Sequence, residues 1–385
     1  MLFRSGNTTQ VNHIFNVSDD IDPVITCPTG PFDKNINTGF CTYTSNSNEF
    51  DPVLSNDNCT VSSVLHNYIG GGTTLNGQSF PVGSTTVTWT ITDICGNTAS
   101  CSITINVSDN QAPTITCPSN YIVNTAIGSC TKSVSTSNPT IWDNCSVTKL
   151  TWSMTGATVA NSPQTGINYI GTYTFNIGTT TVTYNVYDAA GNSQTCSFTV
   201  KVNDNQNPVI SCPSYYNEYT NPGQCYTTIA TSNPTFGDNC GVTKLTWVIS
   251  GVTTGNSLNT GINYLGTYNF NKGVSTVTYY AFDAAGNYSA CSFTVTVIDN
   301  QKPTITCPSN YNVNNDPGNC SKSVLTSNPT TSDNCGVTKL TWTMTGATSA
   351  NSPLTGINNI GTYTFNVGTT TITYIVYDAA GNFET

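Results

Sequence analysis

The sequence predicts an all-β protein, four tandem antiparallel sandwiches of about seven strands each, and three observations carry the prediction. A Thr/Ser-Cys-Pro landmark recurs at Cys27, Cys117, Cys212 and Cys307, at intervals of 90, 95 and 95 residues, so the 385 residues hold four repeats. Each is long enough to be a whole small domain rather than one turn of a solenoid. Within a repeat, apolar and polar residues alternate, as at Val182, Tyr184 and Val186 and again at Cys196, Phe198, Val200 and Val202, which is the pattern of half-buried strands. No stretch shows the period of an amphipathic helix, while Thr-, Val- and Tyr-rich runs are broken throughout by Gly, Asn, Asp and Pro.

The elements come in a fixed order. In the second repeat they are Cys117-Pro118, then Cys130, then Asp143-Asn144-Cys145, then a strand through Lys149, Leu150, Thr151 and Trp152, then the two alternating strands. Between those two, Asp188-Ala189-Ala190-Gly191-Asn192 supplies the Gly and Asx residues of a β-hairpin turn. After them Asn203-Asp204-Asn205-Gln206-Asn207-Pro208 ends the last strand, because Pro cannot donate to a ladder. This succession of TCP, Gly-x-Cys, DNC, DAAGN-x3-Cys and a closing VxVxD resembles the hyalin-repeat (HYR) domain, an immunoglobulin-like β-sandwich of extracellular and cell-surface proteins. The resemblance covers essentially the whole chain. It implies four immunoglobulin-like sandwiches in an extended rod and a role in adhesion or matrix architecture, although a fold alone does not give function. The expected organisation is an N-terminal strand over 1–19, modules over 20–109, 110–204 and 205–299, and an incomplete fourth module over 300–385.

Composition fits such a protein. Only 8% of the residues are charged, and 16 cysteines at recurring positions point to an oxidising compartment and a disulfide framework, extracellular or at the cell surface. Two histidines and long Cys spacings argue against zinc. No apolar run is long enough for a membrane helix, and the start of the chain lacks the apolar core of a signal peptide, so a mature or cut form is expected. A net charge of −10 excludes a simple nucleic-acid binder.

Two features of the chain invite a specific hypothesis. Residues 6–19 align without gaps on residues 96–109, the last strand of module one and its linker, so the N-terminal segment reads as a closing strand with no domain in front of it. Its inward positions by alternation are Val11, His13, Phe15 and Val17. Module four in turn proceeds through Asp378-Ala379-Ala380-Gly381-Asn382 to Thr385, which aligns with Thr195, one residue before the closing-strand cysteine. A sandwich without its closing strand exposes an edge that templates another chain's strand. Head-to-tail contacts of this kind build open filaments of identical subunits. Burying Val11, Phe15 and Val17 at about 1.5–3 kcal/mol each gives roughly 5–9 kcal/mol before ordering costs. The competing expectation is a piece of a cell-surface adhesin array whose modules bind a protein or glycan receptor.

Modules two and three carry four cysteines each, Cys117, Cys130, Cys145 and Cys196, then Cys212, Cys225, Cys240 and Cys291. Four cysteines allow three connectivities, among which sequence does not choose. The expected one joins first to third and second to fourth, which in module one gives Cys27–Cys59 and Cys41–Cys101 and in module four Cys307–Cys335. One thiol is then left at each end, and Cys95 and Cys320 become candidates for an interchain disulfide.

Twelve of the 17 Asp occupy three positions, each repeated four times. They are the linker Asp19, Asp109, Asp204 and Asp299, the DNC Asp57, Asp143, Asp238 and Asp333, and the hairpin Asp93, Asp188, Asp283 and Asp378. In an immunoglobulin-like topology all three converge where the chain enters a module. Carboxylates gathered in one place repel unless they share a cation, and hard oxygen ligands select Ca²⁺. Asn110, Asn205 and Asn300 beside the linker Asp offer further oxygens, and module one has Asp20 in that place. The linker DNQxP is similar to cadherin calcium linkers; the alternative is that each Asp caps its own loop. An enzyme is not expected. His13 and His66 are the only imidazoles, neither recurs, and no phosphate loop or nucleophile elbow is present. Trp89, Trp152, Trp247 and Trp342 read as recurrent core positions, Trp142 as an exposed contact, and Asn16, Asn106 and Asn287 as glycosylation sequons.

Overall fold

The computed structural model describes residue 6 and residues 9–385; residues 1–5 and 7–8 of the expected N-terminal strand lie outside the described residues. The described residues contain strands and no helix. The chain divides into two compact units, one of residues 1–123 and 133–202, the other of residues 124–132 and 203–385.

In the second unit, module three shows the design most fully. Its large sheet runs in the order Tyr216–Tyr219, Tyr288–Ile298, Gly273–Asp283, Val242–Gly251, Gly255–Asn256. Two short pairs, Tyr226–Ala230 with Thr267–Asn271 and Val209–Ser211 with Thr235–Gly237, supply the other layer. Alternation decides which side chains fill the space between. Val277, Tyr279 and Ala281 from one hairpin strand and Phe293, Val295 and Val297 from the other are buried against Ile229 and Phe270 of the short layer. The hairpin is in register, with Val277 opposite Phe293 and Tyr279 opposite Cys291.

The sheet is mixed rather than purely antiparallel, because Tyr216–Tyr219 runs parallel to the closing strand, Tyr216 facing Val295. The chain crosses from the short layer to the far edge of the large sheet there, a crossover that alternation cannot reveal. In the first unit, the long strands of module two, Ser193–Asn203, Gly178–Asp188, Val147–Gly156 and Ala160–Asn161, follow the same order, and module one has four strands in its large sheet, Phe32–Asn35, Thr98–Ser108, Gly83–Asp93 and Val61–His66 in that order.

Module four has no strand in the place of Tyr216–Tyr219, and its closing strand is the two residues Phe383–Glu384. The two losses are one: the parallel edge strand has nothing to pair with where the closing strand is short.

The expected tryptophan series needs a correction. Trp89 lies on the hairpin strand opposite Cys101, the position of Tyr184 and Tyr279, whereas Trp152 and Trp247 lie on the neighbouring strand opposite those tyrosines. His66 holds the Trp152 position in module one, packed edge-on to Trp89 at 5.1 Å. Both are buried, the imidazole Nε2 lying 3.1 Å from the Thr74 carbonyl. An aromatic pair is thus kept with its members exchanged in type.

Candidate functional site at the module junctions

The disulfides depart from the expected pairing. Within modules the first cysteine joins the fourth, as Cys27–Cys101, Cys117–Cys196 and Cys212–Cys291. The remaining bonds join the second cysteine of one module to the third of the next, as Cys41–Cys145 in the first unit and Cys130–Cys240 and Cys225–Cys335 in the second. The reason lies in placement. The first cysteine follows a short-layer strand and packs into the core beside the closing strand that carries the fourth. The DNC loop instead faces the incoming chain, so its cysteine meets the Gly-x-Cys turn of the module before. Cα separations of 5.6–5.8 Å within modules and 4.7–4.8 Å between them suit both kinds of bond. Four cysteines, Cys59, Cys95, Cys307 and Cys320, remain unpaired and exposed, where two were expected.

Beside each inter-module disulfide lies a hydrogen-bond clasp that sequence reasoning missed. The linker glutamine reaches back to the Gly-x-Cys turn. Gln301 Oε1 accepts from the Gly223 amide at 2.8 Å, and its Nε2 donates to the Asn221 carbonyl at 2.9 Å. Gln206 makes the same pair with Gly128 and the Ala126 carbonyl, and Gln111 with Gly39 and the Asn37 carbonyl. The middle residue of DNC adds a third strut: Asn144, Asn239 and Asn334 donate to the carbonyls of Phe40, Ser129 and Gln224. The recurrence of Asn and Gln in DNC and DNQxP was the available signal. Module one has Ile21 where the others have Gln, and there Asn58 turns to Asp19 instead.

The acidic residues sort into three roles. The hairpin Asp caps its own turn. Asp283 Oδ1 accepts from the amides of Gly286 and Asn287 at 2.7 and 2.8 Å, and its Oδ2 accepts from the Asn287 side chain, which also donates to the Asp204 carbonyl. Asp93, Asp188 and Asp378 hold Asn97, Asn192 and Asn382 onto the carbonyls of Asp19, Asp109 and Asp299 in the same way. Burial pushes the Asp93 carboxyl up, but donors from Asn97, Cys95 and Gly96 outweigh it and hold it below the usual range. The DNC Asp accepts the amide of its cysteine through Oδ2, at 2.8–3.0 Å in all four modules.

The linker Asp meets the DNC Asp. Ligand atoms of Asp19, Asp57 and Cys59, of Asp109, Asp143 and Cys145, of Asp204, Asp238 and Cys240, and of Asp299, Asp333 and Asp378 lie within 4.8 Å of one another in each group. The convergence is therefore of two carboxylates in three modules and of three in module four. Burial above all, then the charges of Asp188 and Asp143, raises the Asp109 carboxyl above its ordinary range. Asp20, Asn110, Asn205 and Asn300 are exposed.

The carboxylate groups fit a hard cation in part. Asp57, Asp143, Asp238 and Asp333 each leave Oδ1, and Asp204 leaves Oδ2, buried without a hydrogen-bond donor, a state that costs free energy unless a positive charge is near. Asp299 has such a charge already, Lys272 Nζ at 3.4 Å, whereas the residue in that place in module two is Ile177. The sulfurs of Cys145 and Cys240 are spent in disulfides and offer no thiolate. Asp204 with Asp238 is the group with two orphaned oxygens and no ion pair.

Residues 9–22 form no strand, and Val11, Phe15 and Val17 stand 80%, 86% and 95% exposed, with His13 stacked on Phe15. A strand is stable only against a partner, and within the described residues this segment has none. In module four the hairpin strand Thr370–Asp378 pairs with Phe383–Glu384 only at Val376 and Tyr377. Phe365 and Ile372 are half-buried there, while their counterparts Phe175, Phe270, Val182 and Val277 are sealed from solvent.

Comparison with known proteins agrees with this reading of the modules. The HYR domain pattern matches residues 18–107, 108–202, 203–297 and 298–385. The protein named Hyalin of Strongylocentrotus purpuratus is 32% identical over 315 residues, covering 80% of this chain and 23% of its own length. The Hyalin of Lytechinus variegatus is 30% identical over 394 residues, covering 98% of this chain and 64% of its own. The chain thus spans less than two thirds of the length of either relative. Among solved structures, protocadherin gammaB7 EC3-6 aligns over 94% of this chain and 98% of its own at 12% identity and a TM-score of 0.29, too loose a superposition for residue-level correspondence. With six disulfides, the chain is an extracellular or cell-surface protein. Its four modules, matched from residue 18 to residue 385, make it a member of the HYR domain family.

Proposed function

We propose that the chain is a non-enzymatic structural subunit of an extracellular assembly, and that residues 9–18 of one copy supply the strand that module four of another lacks. The observation that carries the reading is the match between two deficits: an apolar segment with Val11, Phe15 and Val17 in solvent, and a sandwich whose Phe365 and Ile372 are incompletely covered. Strand addition would pair the open edge of Thr370–Asp378 and bury both sets of side chains at once. His13 would turn inward with the others and need a partner there or stay neutral.

The test is electron microscopy of the purified chain beside the same chain lacking residues 1–18. Filaments from the first and short particles from the second support strand exchange; short particles from both refute it. Ca²⁺ belongs to this reading as a ligand of the junction carboxylates, with Asp204 and Asp238 as its firmest site. Calorimetric titration should then lose one binding event in a D204N/D238N variant.

The second reading is an adhesive array that binds a receptor. It is favoured by Trp142, 58% exposed, and by a polar hollow of about 390 Å³ in module two, lined among others by Asn120, Tyr121, Ser137 and Asn138 and repeated in module four. Receptor binding would survive deletion of residues 1–18.

A further inference from the structure

We propose that Cys59 and Cys95 form a seventh disulfide, within module one. The register of the sheet carries the inference. Val61 and Asp93 are partners on adjacent antiparallel strands, and the Ile94 amide donates to the Thr60 carbonyl at 3.1 Å. Carried one step further, into the bends where the two strands end, that register would set Cys59 opposite Cys95. Residues directly opposed in an antiparallel pair have Cα atoms about 4.5–5.5 Å apart, inside the span a disulfide bridges. Thr60 and Ile94 share the hydrogen bond, so the next pair outward is of the non-hydrogen-bonded kind, in which side chains approach more closely.

Both backbones are held in place. The Asp57 carboxylate accepts the Cys59 amide at 3.0 Å, and the Asp93 carboxylate accepts the Cys95 amide at 2.7 Å. Both cysteines are exposed, so an oxidant reaches them.

The pattern of the other modules points the same way. Their DNC cysteines, Cys145, Cys240 and Cys335, are each bonded to the module before, and their hairpins carry Ala190, Ala285 and Ala380 where module one carries Cys95. Module one alone has a cysteine at both places. The oxidant is a small-molecule disulfide. One cysteine thiolate attacks it and forms a mixed disulfide, releasing one small thiol. The second cysteine thiolate then attacks the first cysteine's sulfur, forming the Cys59–Cys95 bond and expelling the other small thiol. Cys95 is then not available to Cys320 of another copy.

The test uses the full chain, purified under oxidising conditions, alkylated without reduction, and cut before aspartates. Cleavage ahead of Asp57, Asp93 and Asp109 puts Cys59 in a 57–92 peptide and Cys95, together with Cys101, in a 93–108 peptide, which Cys101 ties to the 22–32 peptide of Cys27. The expected result is that all three travel together and separate only on reduction, with alkylation confined to Cys307 and Cys320. In Cys95→Ala, which installs the residue of the other three hairpins, Cys59 should become fully alkylated. Alkylated Cys59 in the unsubstituted chain, a 57–92 peptide linked to any peptide other than 93–108, or a link to 93–108 that persists in Cys95→Ala, would overturn the proposal.

Discussion

Module four depends on one covalent bond that it does not own. Cys307 is unpaired, so Cys225–Cys335, anchored in module three, is the disulfide that constrains it. Consider the double substitution of Cys225 and Cys335 by serine. The bond spans 110 residues of sequence, but Cys212–Cys291 already short-circuits part of that span, leaving as the closed loop the stretch from Cys212 to Cys225 and the stretch from Cys291 to Cys335. In the chain-entropy description a loop of that size confers about 4 kcal/mol, against about 5 kcal/mol for the full span. If module four unfolds while module three stays folded, the tethered loop runs only from the linker at Asp299 to Cys335, and the figure is still about 4 kcal/mol. The estimate therefore hardly depends on whether the two modules melt together. For a module of this size it corresponds to a fall in Tm of about 15–30 °C. Scanning calorimetry of the full chain should show one transition displaced by that amount and the others in place. A trace that shifts by less than about 2 °C would mean that the junction bond does not restrain the unfolded chain, and the reasoning would be wrong.

Further outcomes follow from the same contacts. Tyr279→Phe removes the hydroxyl that accepts the buried Leu265 amide at 2.9 Å and should cost about 1–3 kcal/mol in urea unfolding, whereas Tyr374→Phe should cost less because module four is more open. Asp109 has a folded pKa raised above its unfolded value, so its ionised form is penalised in the fold and stability falls as pH rises through that pKa. Asp109→Asn should accordingly melt above the parent at pH 7 in chelator, with the gain vanishing below about pH 4, where both states are protonated. Gln301→Ala should speed hydrogen exchange at Gly223 at least several-fold while leaving the core amides of Gly273–Asp283 protected. The Asn287 side chain is engaged by the Asp204 carbonyl and Asp283, so glycopeptide mapping after secretion from a eukaryotic host should find the folded protein unmodified there.

Much of this was legible in the sequence because strands announce themselves by alternation. Val182, Tyr184 and Val186 are buried as their spacing demands, and the DAAGN turn sits between two long strands. The same local rule is silent on anything that joins distant segments. The parallel strand Tyr216–Tyr219 is one case, and the passing of Cys145, Cys240 and Cys335 to a neighbouring module is another. Counting cysteines module by module assumed that each module closes itself, and the DNC loop faces outward instead. Aspartates were easier to notice than the amides beside them, yet Gln111, Gln206 and Gln301 make the direct struts across the junctions. Charge draws attention, while a neutral side chain that donates and accepts at once is better suited to tying two backbones together.

The interlocked disulfides also bear on what happens when the chain is pulled. Between Cys27 and Cys335 the backbone could extend to about 1,000 Å if every module came apart. The covalent path is far shorter. It follows the backbone from Cys27 to Cys41, crosses to Cys145, returns along the backbone to Cys130, crosses to Cys240, returns again to Cys225 and crosses to Cys335. Tension applied across that span reaches a stop at about 150 Å of backbone, even with the sandwiches unravelled. Beyond that point the load falls on sulfur–sulfur bonds rather than on ladders of hydrogen bonds, so the chain would behave as a strap of fixed length instead of a spring.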